Sequence, residues 1–304
     1  MSGGGRKTLK TLIGTYPHTA PLKSSALRSD WLDFEFTEIV PVWDGFKGMI
    51  RDDKYDVSEM AIVTYLLAKA HGKPLALLPA AMIGRFQHPY AIYNATKGPM
   101  TPADLKGKRV GIRSFTTTTG AWIRGILAND YGVDLDSIEW ITFEEPHVAE
   151  YKDTTQRAPE GKKIVPMLLD GELDAVLGES SGDPRIKSLF GDPQAEAQRW
   201  YAKHKVVPIN HLVVMRAHDV AADPDSAREV YRLLRAGKRL AGPASAPDPV
   251  PFGIEANRPS LAMIAEYAFQ QRLLPRRISV DDMFAETREL VGDERGHGRT
   301  ASVA

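Results

Sequence analysis

The chain is expected to fold as α/β, in two lobes that each carry a mainly parallel sheet flanked by helices, with a ligand cleft between the lobes. Three observations predict this. Runs of strand length, apolar or alternating, are followed again and again by stretches with helical spacing, the βαβ pattern of a parallel sheet. Glycines stand where left-handed caps would close those helices, at Gly72, Gly132 and Gly171. Two segments, around residues 88–98 and 205–212, are placed to carry the chain from one lobe to the other and back. The 304 residues suit two domains of ordinary size, expected as residues 1–93 with 212–304, and residues 94–211.

In chain order, residues 9–14 read as a first strand that ends in a polar loop over 15–21. Residues 33–40 alternate Phe34 and Phe36 with polar neighbours, a half-buried strand. Residues 43–53 fit a short helix, 55–60 a strand, and Ile62, Tyr65, Leu66 and Lys69 a second helix closed by Gly72. Residues 75–83 are a third apolar strand, which completes β-α-β-α-β. Residues 90–94 lead into the first crossing. Residues 108–112 are a short buried strand, followed from about Thr118 by a helix with Trp122, Ile123, Ile126 and Leu127 at helical spacing. Residues 138–143 and 174–178 are strands, 144–163 a loop, and 164–169 a helix closed by Gly171. Helices are expected at 184–190 and 193–204, and a strand at 212–216. Helices follow at 224–241, 259–274 and 280–291, the first two separated by a proline-rich loop, and the last dozen residues read as disordered.

Composition removes several classes of function. Lys plus Arg equals Asp plus Glu at 39 each, so no overall field favours nucleic acid or an anionic membrane. No apolar run approaches a membrane span. The absence of cysteine excludes disulfides, thiol catalysis and Cys-ligated zinc. The start, MSGGGRKTLKTLIGTY, has no apolar core or cleavage motif of a signal peptide, so a cytoplasmic protein is expected. There is no G-x-S-x-G, phosphate-binding loop, dinucleotide fingerprint, H-E-x-x-H or H-x-x-x-H. Serine hydrolase, nucleotidase and Rossmann chemistry are unsupported, and no metal site is expected.

The most suggestive stretch is DLKGKRVGIRSFTTTTGAWIRGILANDYG, residues 104–132. A strand's carboxyl end feeding a helix N-terminus gathers backbone N–H groups and the positive end of the helix dipole. Arg113, Ser114 and the run Thr116 to Thr119 add a guanidinium and hydroxyls. That corner suits a small anion, foremost a carboxylate. A structural role competes, with the threonines as helix caps and Arg113 as a solvated charge.

The chain resembles the 4,5-dihydroxyphthalate decarboxylase family, built on the type 2 periplasmic-binding-protein fold. The matching pieces are DVSEMAIVTYLLAKAHG, GRFQHPYAIYN, DLKGKRVGI, TGAWIRGILANDYG, LLDGELDAVL, PINHLVVMR and the long segment beginning PFGIEANRPS, running in order from about residue 9 to 290. Glu59–Met60, R-F-x-H at 85–88, W-x-R-G-I-L at 122–127 and G-x-E-x-N-R are the more specific among them.

The resemblance implies removal of one carboxylate from a hydroxylated aromatic dicarboxylate. A base takes the proton of the hydroxyl para to the departing carboxylate, an acid protonates the carbon left behind, and a cation holds the other carboxylate. No cofactor is required, because the ring delocalises the charge. His88 and His211, each beside a crossing, and Glu59, at a strand end, are the acid–base candidates. Arg85 and Arg113 are candidate carboxylate clamps, since a planar fork matches a carboxylate, with Ser114, Thr117, Thr118 and Thr119 beside them. Tyr16, His18 and Glu179 are candidates for contacts to hydroxyls, and Trp122 for stacking on the ring. Each has a structural counterpart: core histidines, a helix-capping carboxylate, surface ion pairs and a core tryptophan.

The expected partner is therefore a small aromatic carboxylate, with no nucleic acid and no membrane; a homo-oligomer is compatible with the sequence. Two other functions stay open, a solute-binding protein of an ABC-type transporter and a different lyase on the same scaffold.

Overall fold

The computed structural model describes residues 6–243 and 245–291. It divides into two compact units, Met1–Gly84 with Ile209–Ala262 and Ile278–Ala304, and Arg85–Pro208 with Met263–Arg277. The expectation of disorder for the last dozen residues lies outside the described residues.

The first unit holds a five-stranded sheet in the order β2-β1-β3-β11-β4, made of β1 (Lys7–Leu12), β2 (Leu32–Phe36), β3 (Val57–Ala61), β4 (Leu75–Gly84) and β11 (Ile209–Arg216). β1 runs parallel to β2 and β3, whereas β11 is antiparallel to both β3 and β4. Its helices are α1 (Ala20–Lys23), α2 (Phe46–Asp52), α3 (Ile62–Ala70), α7 (Ala217–Ala222), α8 (Pro224–Leu240), α10 (Val280–Met283) and α11 (Arg288–Val291). Leu9, Leu32, Val57, Leu78 and Val213 from the sheet pack with Val230, Leu233 and Leu234 of α8 in one apolar core. Each fully buried side chain of this kind stabilises the fold by roughly 1.5–3 kcal/mol. α8 starts where Asp223 accepts the Ser226 N–H and Pro224 occupies its first turn.

The second unit holds a six-stranded sheet in the order β10-β5-β9-β6-β7-β8. Its strands are β5 (Ala91–Asn94), β6 (Arg109–Ile112), β7 (Glu139–Thr142), β8 (Gln156–Arg157), β9 (Ala175–Leu177) and β10 (Ile186–Ser188), and its helices are α4 (Thr118–Tyr131), α5 (Ile164–Asp170) and α6 (Pro193–His204). β5 is antiparallel to β9 and β10, and the other pairs are parallel. In each sheet the reversed strand is therefore the one on which the chain arrives from the other unit. α4 and α5 end at Gly132 and Gly171, both left-handed, as the capping argument requires. The boundary between the units falls inside α9 (Ile254–Gln270).

Several expectations are corrected. The boundaries fall at 84/85 and 208/209, not at 93/94 and 211/212, because β5 pairs in the second sheet and Ile209 starts β11 in the first. Residues 263–277 also count with the second unit. Residues 184–190 hold no helix: Ile186, Lys187 and Ser188 pair with Asn94, Tyr93 and Ile92, and that edge pairing outweighs a spacing too short to define a period. α9 begins at Ile254 with Pro259 inside it. Asn257 Nδ2 donates to the carbonyls of Gly253 and Pro251 and so holds a turn upstream of the proline. Residues 280–291 form two short helices rather than one. Tyr65 Oη donates to the Met283 carbonyl and Thr287 Oγ1 to that of Leu77, which fixes the break. The 144–163 loop contains the two-residue β8, paired with β7.

Candidate active site

In the first unit, the carboxyl ends of β1 and β3 and the start of β11 bring four candidate side chains together. His211 lies opposite Ala61 in the β11–β3 ladder, so its side chain shares a sheet face with Glu59 two residues away. Glu59 is 0% exposed and accepts three hydrogen bonds. His211 Nδ1 is 2.6 Å from Oε1, Tyr16 Oη donates to Oε1 at 2.8 Å, and the Gly14 N–H donates to Oε2 at 2.9 Å. A buried carboxylate needs this degree of satisfaction. With Nδ1 committed to Glu59, Nε2 is the His211 nitrogen left for chemistry. Phe46 closes against the His211 ring edge-on, with centroids 5.2 Å apart.

The loop after β1 is held from within. Thr19 Oγ1 donates to the Gly14 carbonyl at 2.8 Å and accepts the Tyr16 N–H at 2.8 Å. Gly14 is required for the close approach of Tyr16, since a Cβ there would stand 2.5 Å from Oη. Tyr16 stacks on His18, with centroids 5.3 Å apart. The His18 ring is buried and its Nε2 has no hydrogen-bond partner. Burial, and then the Lys238 charge, hold His18 below its ordinary value, so it is neutral near pH 7. Burial, and then the Glu59 charge, push the Tyr16 phenol upward, so Tyr16 stays a donor.

In the second unit, β6 runs into the loop that carries Arg113, Ser114 and the threonines. The Arg113 carbonyl accepts the N–H groups of Phe143 and Glu144, which ties the loop to the end of β7. Thr117 is the N-cap of α4, yet its Oγ1 donates to the Ser114 carbonyl (3.0 Å) instead of accepting from the helix. Ser114 Oγ and Thr116 Oγ1 lie 3.2 Å apart. Thr118 and Thr119 form the first turn of α4. Arg113 Nε is 3.8 Å from Glu144 Oε2. Burial raises the Glu179 carboxyl, and the Arg113 charge works against that rise.

The remaining candidates are placed elsewhere in the second unit. His88 is 0% exposed, edge-on to Phe190 and Trp200, with no hydrogen bond to either ring nitrogen. Burial brings it down to about 4, so it is a neutral ring in an aromatic core. Trp122 is fully buried, edge-on to Trp200 and Tyr267. Arg85 is exposed, with its guanidinium 4.2 Å from the Tyr90 ring centroid.

The sequence reading missed Phe46, Gly14 and Arg124. Arg124 left a signal: it is the one charged residue in the run 120–127, every member of which is buried. Among the described residues, no group of three or more His, Cys, Asp or Glu side chains could hold a metal ion. No described helix is long and apolar enough to cross a membrane.

Comparison with solved structures defines the class of fold. The alkanesulfonate-binding protein SsuA of Xanthomonas axonopodis pv. citri, bound to MOPS, superposes over 92% of this chain and 99% of its own, with a TM-score of 0.55 at 16% identity. The periplasmic aliphatic sulphonate-binding protein SsuA of Escherichia coli gives 0.55 at 12% identity, over 93% of this chain and 99% of that one. The desulfurization enzyme DSZB gives 0.52 at 12% identity, over 95% of this chain and 100% of that one. The fold is thus periplasmic-binding-protein-like, and likeness at these identities speaks for the fold alone.

Sequence comparison is more specific. A 4,5-dihydroxyphthalate decarboxylase of Comamonas testosteroni is 32% identical over 224 residues, 68% of each chain. One of Pseudomonas putida is 29% identical over 209 residues, 64% of this chain and 81% of that one. No family model matches the chain. The chain belongs to the 4,5-dihydroxyphthalate decarboxylase family, a family of carboxy-lyases.

Proposed function

We propose that this protein decarboxylates 4,5-dihydroxyphthalate, or a closely related hydroxylated aromatic dicarboxylate, with acid–base groups supplied by the Tyr16–His18–Glu59–His211 cluster. The observation that carries the reading is the Glu59 carboxylate, buried and holding His211 Nδ1 at 2.6 Å. That contact takes Nδ1 and leaves Nε2 to turn toward the substrate.

In the proposed sequence, the neutral His18 takes the proton of the hydroxyl para to the departing carboxylate. The resulting phenolate pushes electrons into the ring, and His211 Nε2 delivers a proton to the carbon that bears that carboxylate. The carbon–carbon bond then breaks and carbon dioxide leaves. Its bonding pair returns to the ring and restores aromaticity. His18 gives its proton back to the phenolate, and His211 is recharged from water. The net change is one proton taken up and one carbon dioxide released, giving 3,4-dihydroxybenzoate from 4,5-dihydroxyphthalate. Positioned acid and base groups each contribute about 10²- to 10⁴-fold. His88, enclosed by aromatic rings, has no part in this sequence.

Purified protein mixed with 4,5-dihydroxyphthalate should release carbon dioxide and 3,4-dihydroxybenzoate in equal amounts. Tight binding without turnover would instead identify a solute-binding protein.

A further inference from the structure

His18, the base proposed in the first unit, is flanked by an ion pair that the acid–base sequence does not use. Lys238 belongs to α8, and Asp248 to the proline-rich loop that follows it. Lys238 Nζ donates to Asp248 Oδ2 and to the Val250 carbonyl, and it lies 5.2 Å from the Phe252 ring centroid. Asp248 Oδ1 accepts the Val250 N–H at 3.0 Å. The loop is fastened in turn to β4. The Ala81 N–H donates to the Pro251 carbonyl at 3.2 Å, and the Gly253 N–H donates to that of Pro79 at 2.9 Å. One ammonium thus ties α8 to the sheet through the loop.

The place of this clamp matters because α8 packs on the His18 backbone. Gly237, the residue before Lys238, stands where a Cβ would lie 2.5 Å from the His18 carbonyl oxygen. Four groups bear on the His18 ring from the elements around it. Tyr16 stacks on it as a neutral phenol, and Lys238 from α8, Glu59 from β3 and Asp248 from the loop supply charge. Glu59 is committed to His211, Tyr16 and the Gly14 N–H. The Lys238–Asp248 pair is the part of the field that lies outside that hydrogen-bonded cluster. Both of its side chains are partly buried, so water screens them only in part.

We propose that Lys238 and Asp248 are a positioning pair for the base: clamped between α8 and the loop, they fix an ammonium beside His18, so that the ring is free to take the substrate's proton. The inference rests on the reading that His18 is the base, and it names what keeps that base unprotonated.

The test is the protonation midpoint of His18 in the substrate-free, full-length protein, followed by heteronuclear NMR of the histidine rings and assigned by the signal missing in His18→Gln. Lys238→Gln removes the cation and should raise the midpoint by at least about 0.5 pH unit, the scale of a neighbouring, partly screened charge. Asp248→Asn breaks the same ion pair but leaves the ammonium, which the Val250 carbonyl and the Phe252 face still hold. It should lower the midpoint by a similar amount, and Lys238→Arg should keep the wild-type value. A clamp that serves stability alone would move both neutral variants the same way. Shifts in one direction, or an unmoved midpoint in Asp248→Asn, would overturn the inference even where Lys238→Gln does not fold. With 4,5-dihydroxyphthalate, the acid limb of kcat/KM should follow the midpoint, upward in Lys238→Gln and downward in Asp248→Asn. Turnover with unmoved midpoints would sink this inference alone. Opposite midpoint shifts without turnover would uphold it and sink only the decarboxylase reading.

Discussion

The histidines of this chain sit in contrasting surroundings. His211 has one nitrogen fixed by Glu59, His18 stacks on Tyr16 with its Nε2 buried and unpartnered, and His88 lies edge-on to Phe190 and Trp200 with both ring nitrogens buried and unpartnered. His211→Gln and His18→Gln should each lower kcat at least about a hundredfold with much smaller changes in KM; unchanged turnover in both removes the cluster from the mechanism. His88 matters instead for stability against acid. The unfolded chain takes up this proton near 6.5, the folded protein only near 4. The contribution of His88 is therefore complete above 6.5, declines as the pH falls toward 4, and changes little below it. That interval corresponds to about 3 kcal/mol at most. His88→Phe should flatten the loss of stability between pH 6.5 and 4 in denaturant titrations; an unaltered pH slope would show that His88 is not a buried neutral ring.

At the scale of elements, the candidate sites depend on close backbone approaches. Gly237 in α8 stands where a Cβ would lie 2.5 Å from the His18 carbonyl oxygen. Alanine is ordinarily the better helix former by about 0.5–1 kcal/mol, but overpacking costs about 1–3 kcal/mol, and the contact is with backbone that cannot rotate away. Gly237→Ala should lower Tm and also reduce turnover by displacing the loop that carries Tyr16 and His18. A stabilised variant with full activity would contradict this geometry. The same scale explains the misread segments. Residues 186–188 are a strand because β5 offers an edge, and α9 extends through Pro259 because Asn257 secures its first turn.

At the scale of the whole molecule, the sheet order returns the chain to the first unit through β11, which sets His211 beside Glu59 although 152 residues separate them in sequence. α9 belongs partly to each unit, giving buried Leu261 to the first and Tyr267 and Ala268 to the second. Ala265→Gly should weaken that helix by about 1 kcal/mol, seen as about a fivefold faster exchange of the slowest amide hydrogens in both β11 and β6. Acceleration confined to one sheet would show that the helix stabilises only one unit.

The α/β class, the βαβ rhythm, the glycine-capped ends of α4 and α5 and the limits of α6 were all legible in the residues themselves. Periodicity and capping act over a few positions and leave a local record. So were the candidate residue types, down to the family that the motifs resemble. Which histidine meets Glu59, which one is enclosed by Phe190 and Trp200, and which arginine lies beneath the threonine loop were decided only by the tertiary structure. Burial and partnership are set by strand order and by distant packing, and no local spacing encodes them.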